Sequence, residues 1–509
     1  MQAANKVAFN TLILYTKMLI TMGISLYSTR LVLNALGASD YGIFNLIAGV
    51  IAMLSFLNAA MTISTQRYLS FYQGTNDFEM QKKVFTNSWA LHIIIGLLVV
   101  LSLEIACPFL FDNFLNIPQE RIGVAKTIYH FMSIAVFFTI VAVPFTASLN
   151  AHENMLWIAV VNIIESVIKL GIALSLLWFI QSERLVVYGV LMVTLSLITF
   201  SLYAVYCLKK YSECNIKNYQ VNKPLMKELG GFAGWNLFGA LCGVSRAQGL
   251  AVILNIFFGT VVNAAYGIAN QVSAQLSFFS QTMLRAINPQ IMKSEGMNDR
   301  QRMLRLSMMA SKFGFFLMAL VSIPCIFEMP AILTLWLKNA PENSVVFSIL
   351  ILIDMLVNQL TVGLQSAIQA VGKVKIYQIF VGGIQLFTLP VAYLLLLIGF
   401  APYSVLVCAT TTQIIGIFIR FYLLKKIVGL SIIEFCNKVF FKEITPIIVI
   451  ISTCWIITAF LNINCRFFFT AIISAITFVS AIYLTGLCKD EKIIINEVIN
   501  KRLNFHRAL

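Results

Sequence analysis

Acidic side chains are scarce in this chain, with 21 Asp and Glu against 36 Lys and Arg in 509 residues, and charged residues of both signs together make up only 11%. So few charges exclude a soluble surface for a protein of this size. With 59% hydrophobic residues and a mean hydropathy of +0.87, the composition is that of a polytopic membrane protein. Long loops are missing too. The largest stretch between apolar segments, near 209–229, is about 20 residues, well under the roughly 50 of an independent domain, so the function resides within the membrane. The ten cysteines are scattered without a CxxC pair, which excludes a disulfide framework or a zinc site and leaves them as packing residues. There is no HExxH, GxSxG or Walker loop and no cluster of carboxylates, so neither enzyme chemistry nor a cofactor is expected. His92 and His130 have no acid or cysteine at ligand spacing and read as polar packing or interfacial residues.

What is present is a succession of fourteen apolar segments, from 7–27 to 467–487, each near the roughly 20 residues that span a bilayer. The thirteenth, 444–461, is the shortest and has Pro446 at its start. The expected fold is all-α, with about 14 transmembrane helices. The first segment carries Lys17 and no small-residue cleavage site, so it is a span and not a signal peptide. The net charge of +15 gathers in alternate loops: Arg67, Lys82 and Lys83; then five lysines between 209 and 227; then Lys293 to Arg305, Lys373 and Lys375, Lys425 to Lys442, and the tail. This is the positive-inside pattern. It predicts cytoplasmic termini, and it makes these residues topogenic and lipid-facing with no nucleic-acid role.

The stretch 211–229, with its asparagines, Pro224 and lysines, reads as a cytoplasmic linker between an N-terminal lobe of six spans (1–210) and a C-terminal lobe of six (230–430). Residues 431–509 add two helices and a basic tail. The lobes echo each other. LVLNALGASDYGIFNLIAGVIAMLSF, beginning at Leu31, is followed by VILNIFFGTVVNAAYGIANQVSAQLSFF, beginning at Val252, with LN, YG and LSF recurring in order. A parallel repeat of this kind is a transporter plan, two lobes facing a midplane site. Pro144, Pro324 and Pro390 are candidate kinks or static bends.

Seven cations, Lys17, Arg30, Lys169, Arg246, Arg285, Lys312 and Arg420, interrupt or border the spans. A cation at the bilayer centre costs about 2.5–3.5 kcal/mol, so one that cannot reach an interface faces a polar cavity or a partner. Lys17 shares a polar stripe with Thr21, Ser25 and Ser28, with Arg30 beyond it; both cations either line a cavity or snorkel to opposite surfaces. Arg246 is mid-span beside Asn236, Gly239 and Gly243, where snorkelling is difficult. The longest polar stripe runs through Asn263, Asn270, Ser273, Ser277, Gln281 and Arg285, and either lines a wet cavity or mediates helix packing. Lys312 and Arg420 lie near cytoplasmic ends and read as snorkelling. Lys169, four residues after Glu165, reads as a structural ion pair. Arg67 closes the second span, as an anchor or a contact for an entering substrate. Among the few intramembrane acids, Asp354 beside Asn358 and Gln359 is the candidate proton or sodium coupling group, or a paired structural acid.

At TRLVLNALGASDYGIFNLIAGV (from Thr29) and TQRYLSFYQG (from Thr65), the chain resembles the Wzx-type lipid-linked oligosaccharide flippases of the multidrug, oligosaccharidyl-lipid and polysaccharide (MOP) exporter superfamily. The shared features are an Arg near the end of the first span, an LG turn, a YG opening the second span and an Arg-Tyr-Leu-Ser exit. The resemblance implies two lobes working by alternating access and a cationic cavity, with Arg30, Arg67, Arg246 and Arg285 as wall candidates. It also implies a polyprenyl-diphosphate oligosaccharide as substrate, a bacterial cytoplasmic membrane as location, and other glycan-assembly membrane proteins as partners. A lipid II flippase is a close rival. A multidrug cation exporter would call for intramembrane carboxylates, and the first span has none. A membrane-embedded glycan polymerase or ligase would show a large external loop, and a channel fits two echoing lobes least.

Overall fold

The computed structural model describes residues 2–52, 55–111, 115, 117–178, 183–215, 221–461, 466–493 and 496, and its regular secondary structure is entirely helical over those residues. In chain order the helices are α1 (Gln2–Ala52), α2 (Ser55–Gly74), α3 (Phe78–Phe109), α4 (Ile122–Val141), α5 (Val143–Ala151), α6 (Met155–Trp178), α7 (Arg184–Lys210), α8 (Lys223–Gly296) and α9 (Arg300–Phe327). They continue with α10 (Met329–Leu337), α11 (Ser344–Gln359), α12 (Val362–Val371), α13 (Val374–Leu397), α14 (Ser404–Val428), α15 (Ile432–Phe435), α16 (Phe441–Phe460) and α17 (Arg466–Ala481).

Among the described residues, eleven helices are long and apolar enough to cross a membrane, and twelve if the bent pair α11 and α12 forms one span. Helix α8, with 74 residues, would be about 110 Å long if straight, more than three bilayer cores, so it must hold two spans. Gly259 divides it, with φ 76° and ψ −166°. Gly37 divides α1 in the same conformation, φ 77° and ψ 168°. This region of backbone space is essentially restricted to glycine. The second expected span, 41–63, runs across residues 53 and 54, which lie outside the described residues.

The two breaks place the internal repeat in a definite register. Gly37 and Gly259 are 222 residues apart, and so are Asn76 and Asn298, each in left-handed conformation with φ 57°. The sequence around the asparagines is GTND in one case and GMND in the other. The aspartate caps the next helix both times: Asp77 accepts from Met80 N at 2.9 Å and Asp299 from Arg302 N at 3.0 Å. The LSF pair fits this register, whereas the YG pair, at 41 and 266, is three residues out of step. A later correspondence is the break between α4 and α5 at Ala142, mirrored by the 42° bend between α11 and α12.

The chain divides into two compact units, Phe9–Leu237 and Phe238–Leu509, the latter together with the first eight residues. The division thus falls inside α8 and not at the expected linker 211–229. The described part of that segment is docked on the first unit, with Cys214, Leu225 and Leu229 buried. Asn222 N donates to Asn87 Oδ1 at 2.8 Å, and Ser64 Oγ donates to Leu229 O at 3.0 Å. The first unit is centred on Ile47, Ile128, Tyr129, Ala173, Leu176 and Leu185. In the second, Leu254, Ala265, Phe347 and Val405 form one core. The two additional helices, α16 and α17, build another with α9 through Phe316, Ile450, Cys454 and Phe478.

Candidate functional site

The second unit contains a connected polar network on four segments. Arg246, on the first half of α8, sends Nη2 to both carboxylate oxygens of Asp354 on α11, each at 3.0 Å. Its Nη1 reaches Gln413 Oε1 on α14 at 3.4 Å. Gln413 donates to Asn358 Oδ1, which also accepts from Arg420 Nη1 at 3.0 Å. Arg420 closes the chain on Thr361 Oγ1 at 2.9 Å. Asp354 and Asn358 are four apart on α11 and Gln413 and Arg420 seven apart on α14, so each pair lies on one helix face, while Thr361 comes from the turn between α11 and α12. The network contains two arginines and one carboxylate, and so carries a surplus positive charge.

This arrangement revises two readings of the sequence. Arg420 does not snorkel: it is 4% exposed and held by Asn358 and Thr361. Lys312 does not snorkel either. It is 1% exposed and donates to Glu491 at 2.6 Å, beside the buried Glu443. Both cations stay inside because a fixed partner replaces the water that headgroup exposure would have supplied. The expected pair of Lys169 with Glu165 is present at 2.7 Å. His130, which has no acid at ligand spacing in the sequence, meets Glu104 of α3 at 2.6 Å across helices.

Arg246 and Asp354 are therefore one neutral ion pair, not a free cation and a free acid. Their side chains keep 13% and 23% of their exposure. Arg285, on the second half of α8, is different. Its side chain is exposed and makes no hydrogen bond or ion pair among the described residues. The stripe leading to it is turned inward on its own helix: Ser273 Oγ donates to Asn270 O at 2.9 Å and Ser277 Oγ to Ala274 O at 2.8 Å. Gln281 is exposed and reaches Ser277 Oγ at 3.5 Å.

In the first unit, Arg30 is exposed and likewise has no hydrogen bond or ion pair among the described residues. Lys17 is half-buried on the same helix. Asn236 belongs to this unit, buried and bonded to Phe232 O at 2.9 Å. Arg67 is 7% exposed, its guanidinium 4.3 Å from the ring centre of Tyr68, 5.0 Å from Phe71 and 5.6 Å from Phe232. Tyr68 in turn donates to Glu228 at 2.9 Å, tying α2 to the start of α8. These cation–π contacts hold the guanidinium against three aromatic rings. Sequence reading missed Gln413, Thr361 and the partners of Arg420; the signal was the seven-residue spacing of Gln413 and Arg420 within the apolar middle of α14. No group of three or more metal-ligating side chains occurs among the described residues.

Residues 13–175 match the MatE family model. Solved structures match over most of the chain. One, titled as MATE in the straight conformation, has a TM-score of 0.72 at 12% identity, covering 84% of this chain and 96% of its own. The fold is that of the MATE transporters. Another match, an outward-facing multidrug resistance MATE family transporter of the MOP superfamily, has a TM-score of 0.70 at 13% identity, over 82% of this chain and 95% of its own. A MOP superfamily transporter from Pyrococcus furiosus, described as having a binding pocket of reverse polarity that suggests a different function, also has a TM-score of 0.70, at 14% identity, with coverages of 84% and 96%. No curated protein sequence matches the chain.

Proposed function

We propose that this protein is a membrane transporter that flips a polyprenyl-diphosphate-linked oligosaccharide from the inner to the outer leaflet by alternating access. The observation that carries this reading is the surplus of cations on the spanning helices: Arg285 and Arg30 are exposed and unpaired among the described residues, and the Arg246 network has two arginines for one acid. An oligosaccharide cannot cross hydrocarbon without polar partners, and its lipid diphosphate calls for forked, charge-assisted donors, which arginine supplies. An inside-negative potential favours outward movement of the anion by about 2.3 kcal/mol per charge per 100 mV. Energetically, an ion gradient is then optional, and Asp354 need not be a coupling group.

The same fold carries other cargo. The reversed pocket polarity named for the Pyrococcus furiosus protein supports the view that the charge of the site, more than the scaffold, sets the substrate. A cation exporter needs an available carboxylate at membrane depth. Here both oxygens of Asp354 are engaged by Arg246, which weighs against that reading.

The test is reconstitution in liposomes, with leaflet-specific detection of a labelled polyprenyl-diphosphate sugar and a cationic dye as competing cargo. The sugar lipid is expected to move and the dye to stay, with Arg285→Ala lowering sugar-lipid transport at least tenfold while insertion is unchanged. Dye transport without sugar-lipid transport would overturn the assignment.

A further inference from the structure

The first unit carries a second binding feature, separate from the residues of the candidate site. A groove of about 620 Å³ runs along one face of α7, lined by Leu197, Leu202, Val205, Tyr206, Lys209 and Lys210, with Trp157 of α6 as its wall. From Leu197 to Lys210 the face is about 20 Å long at 1.5 Å per residue, close to the hydrocarbon depth of one leaflet plus the start of its headgroups. Its lining is mostly apolar, with the hydroxyl of Ser201 turned back onto Leu197 O at 2.8 Å, until the last turn, where Lys209 and Lys210 stand exposed and make no ion pair among the described residues.

The wall is rigid. Trp157 and Tyr206 stack with ring centres 4.3 Å apart and planes 15° from parallel. Asn154 fixes that stack by donating to the hydroxyls of Tyr206 at 2.8 Å and Tyr211 at 3.0 Å. Glu213, the acid that follows them in the sequence, is bonded to His152, and the two lysines have no acid partner among the described residues. An aromatic pair between an apolar slot and a cationic rim is the layout of a membrane–water boundary.

We propose that this groove is a binding site for an anionic diacyl phospholipid, one acyl chain lying along α7 and the phosphate seated at Lys209 and Lys210. The charge of the rim selects the anion, and the length of the slot selects a lipid from a single leaflet. A site on the basic end of α7 ties the transporter to the anionic lipids of the leaflet it faces.

The experiment uses the full chain in nanodiscs doped with brominated phosphatidylglycerol or brominated phosphatidylcholine. The part of the tryptophan quenching that Trp157→Phe removes reports occupancy of this groove among the six tryptophans. Brominated phosphatidylglycerol is expected to reach half-maximal quenching at a roughly 30-fold lower mole fraction, each lysine contributing a factor of about five. Lys209→Gln with Lys210→Gln should erase that difference. Equal quenching by the two lipids, or a preference that survives the double substitution, would overturn the proposal. So would displacement of the bromolipid by polyprenyl diphosphate but not by unlabelled phosphatidylglycerol, which would mark the groove as a berth for the cargo's tail.

Discussion

The sharpest structural expectation concerns Gly259. At φ 76° and ψ −166° it occupies a backbone region that costs other residues about 1–3 kcal/mol, and a Cβ built there meets nothing within 4 Å. Replacement by alanine therefore introduces backbone strain without a clash. Part of the strain is offset, because alanine removes about 0.4–1 kcal/mol of unfolded-state freedom. The net expectation is a loss of about 1–2 kcal/mol. Helix α8 cannot relieve it by straightening, since 74 residues in one rod would leave the membrane. Gly383 provides the matched control: it lies inside α13, also with nothing within 4 Å of an added Cβ, but in helical conformation. There alanine should stabilise by about 0.5–1 kcal/mol. Reversible unfolding in mixed micelles, titrated with dodecyl sulfate and followed by tryptophan fluorescence, measures both. Opposite signs are expected for Gly259→Ala and Gly383→Ala. If Gly259→Ala were as stable as Gly383→Ala, the break would not depend on glycine, and the reasoning about the repeat would fail with it.

Two further expectations concern buried charge. Lys312→Met should destabilise by about 3–5 kcal/mol in the same unfolding assay, because the buried Glu491 loses the cation that compensates it; adding Glu491→Gln should recover a substantial part. For the Arg246 network, Arg246→Met alone should cost more than Arg246→Met combined with Asp354→Asn, giving a coupling energy above about 1 kcal/mol. A coupling near zero would mean that the bidentate contact contributes nothing in the membrane.

Much of the fold is written in local sequence. Apolar length predicts spans, and the recurrence of LN and LSF marks the repeat, because both are properties of neighbouring residues. The exact register needs conformation: GTND and GMND become recognisable as the same turn once Asn76 and Asn298 are seen in left-handed geometry and Asp77 and Asp299 are seen capping. The unit boundary escapes sequence reading for a related reason. A polar, lysine-rich stretch looks like a linker, yet Leu225 and Leu229 at helical spacing, with Cys214, give its described part a buried face against the first unit.

The cations show why the site is harder to read than the fold. A lysine or arginine in a span announces a cost, and the sequence does not say which distant group meets it. Lys169 is legible because its partner is four residues away. Arg246 is 108 residues from Asp354 and Lys312 is 179 from Glu491, so a periodicity argument leaves both cations without counterions. Once Lys169, Arg246 and Lys312 are paired, three of the seven cations are met by acids. What remains is concentrated at Arg30 and Arg285, together with the one charge by which the Arg246 network exceeds its acid. A phosphate-bearing cargo requires donors whose hydrogen-bonding capacity is still available, and that requirement moves the weight of the proposed site from Arg246 to Arg285.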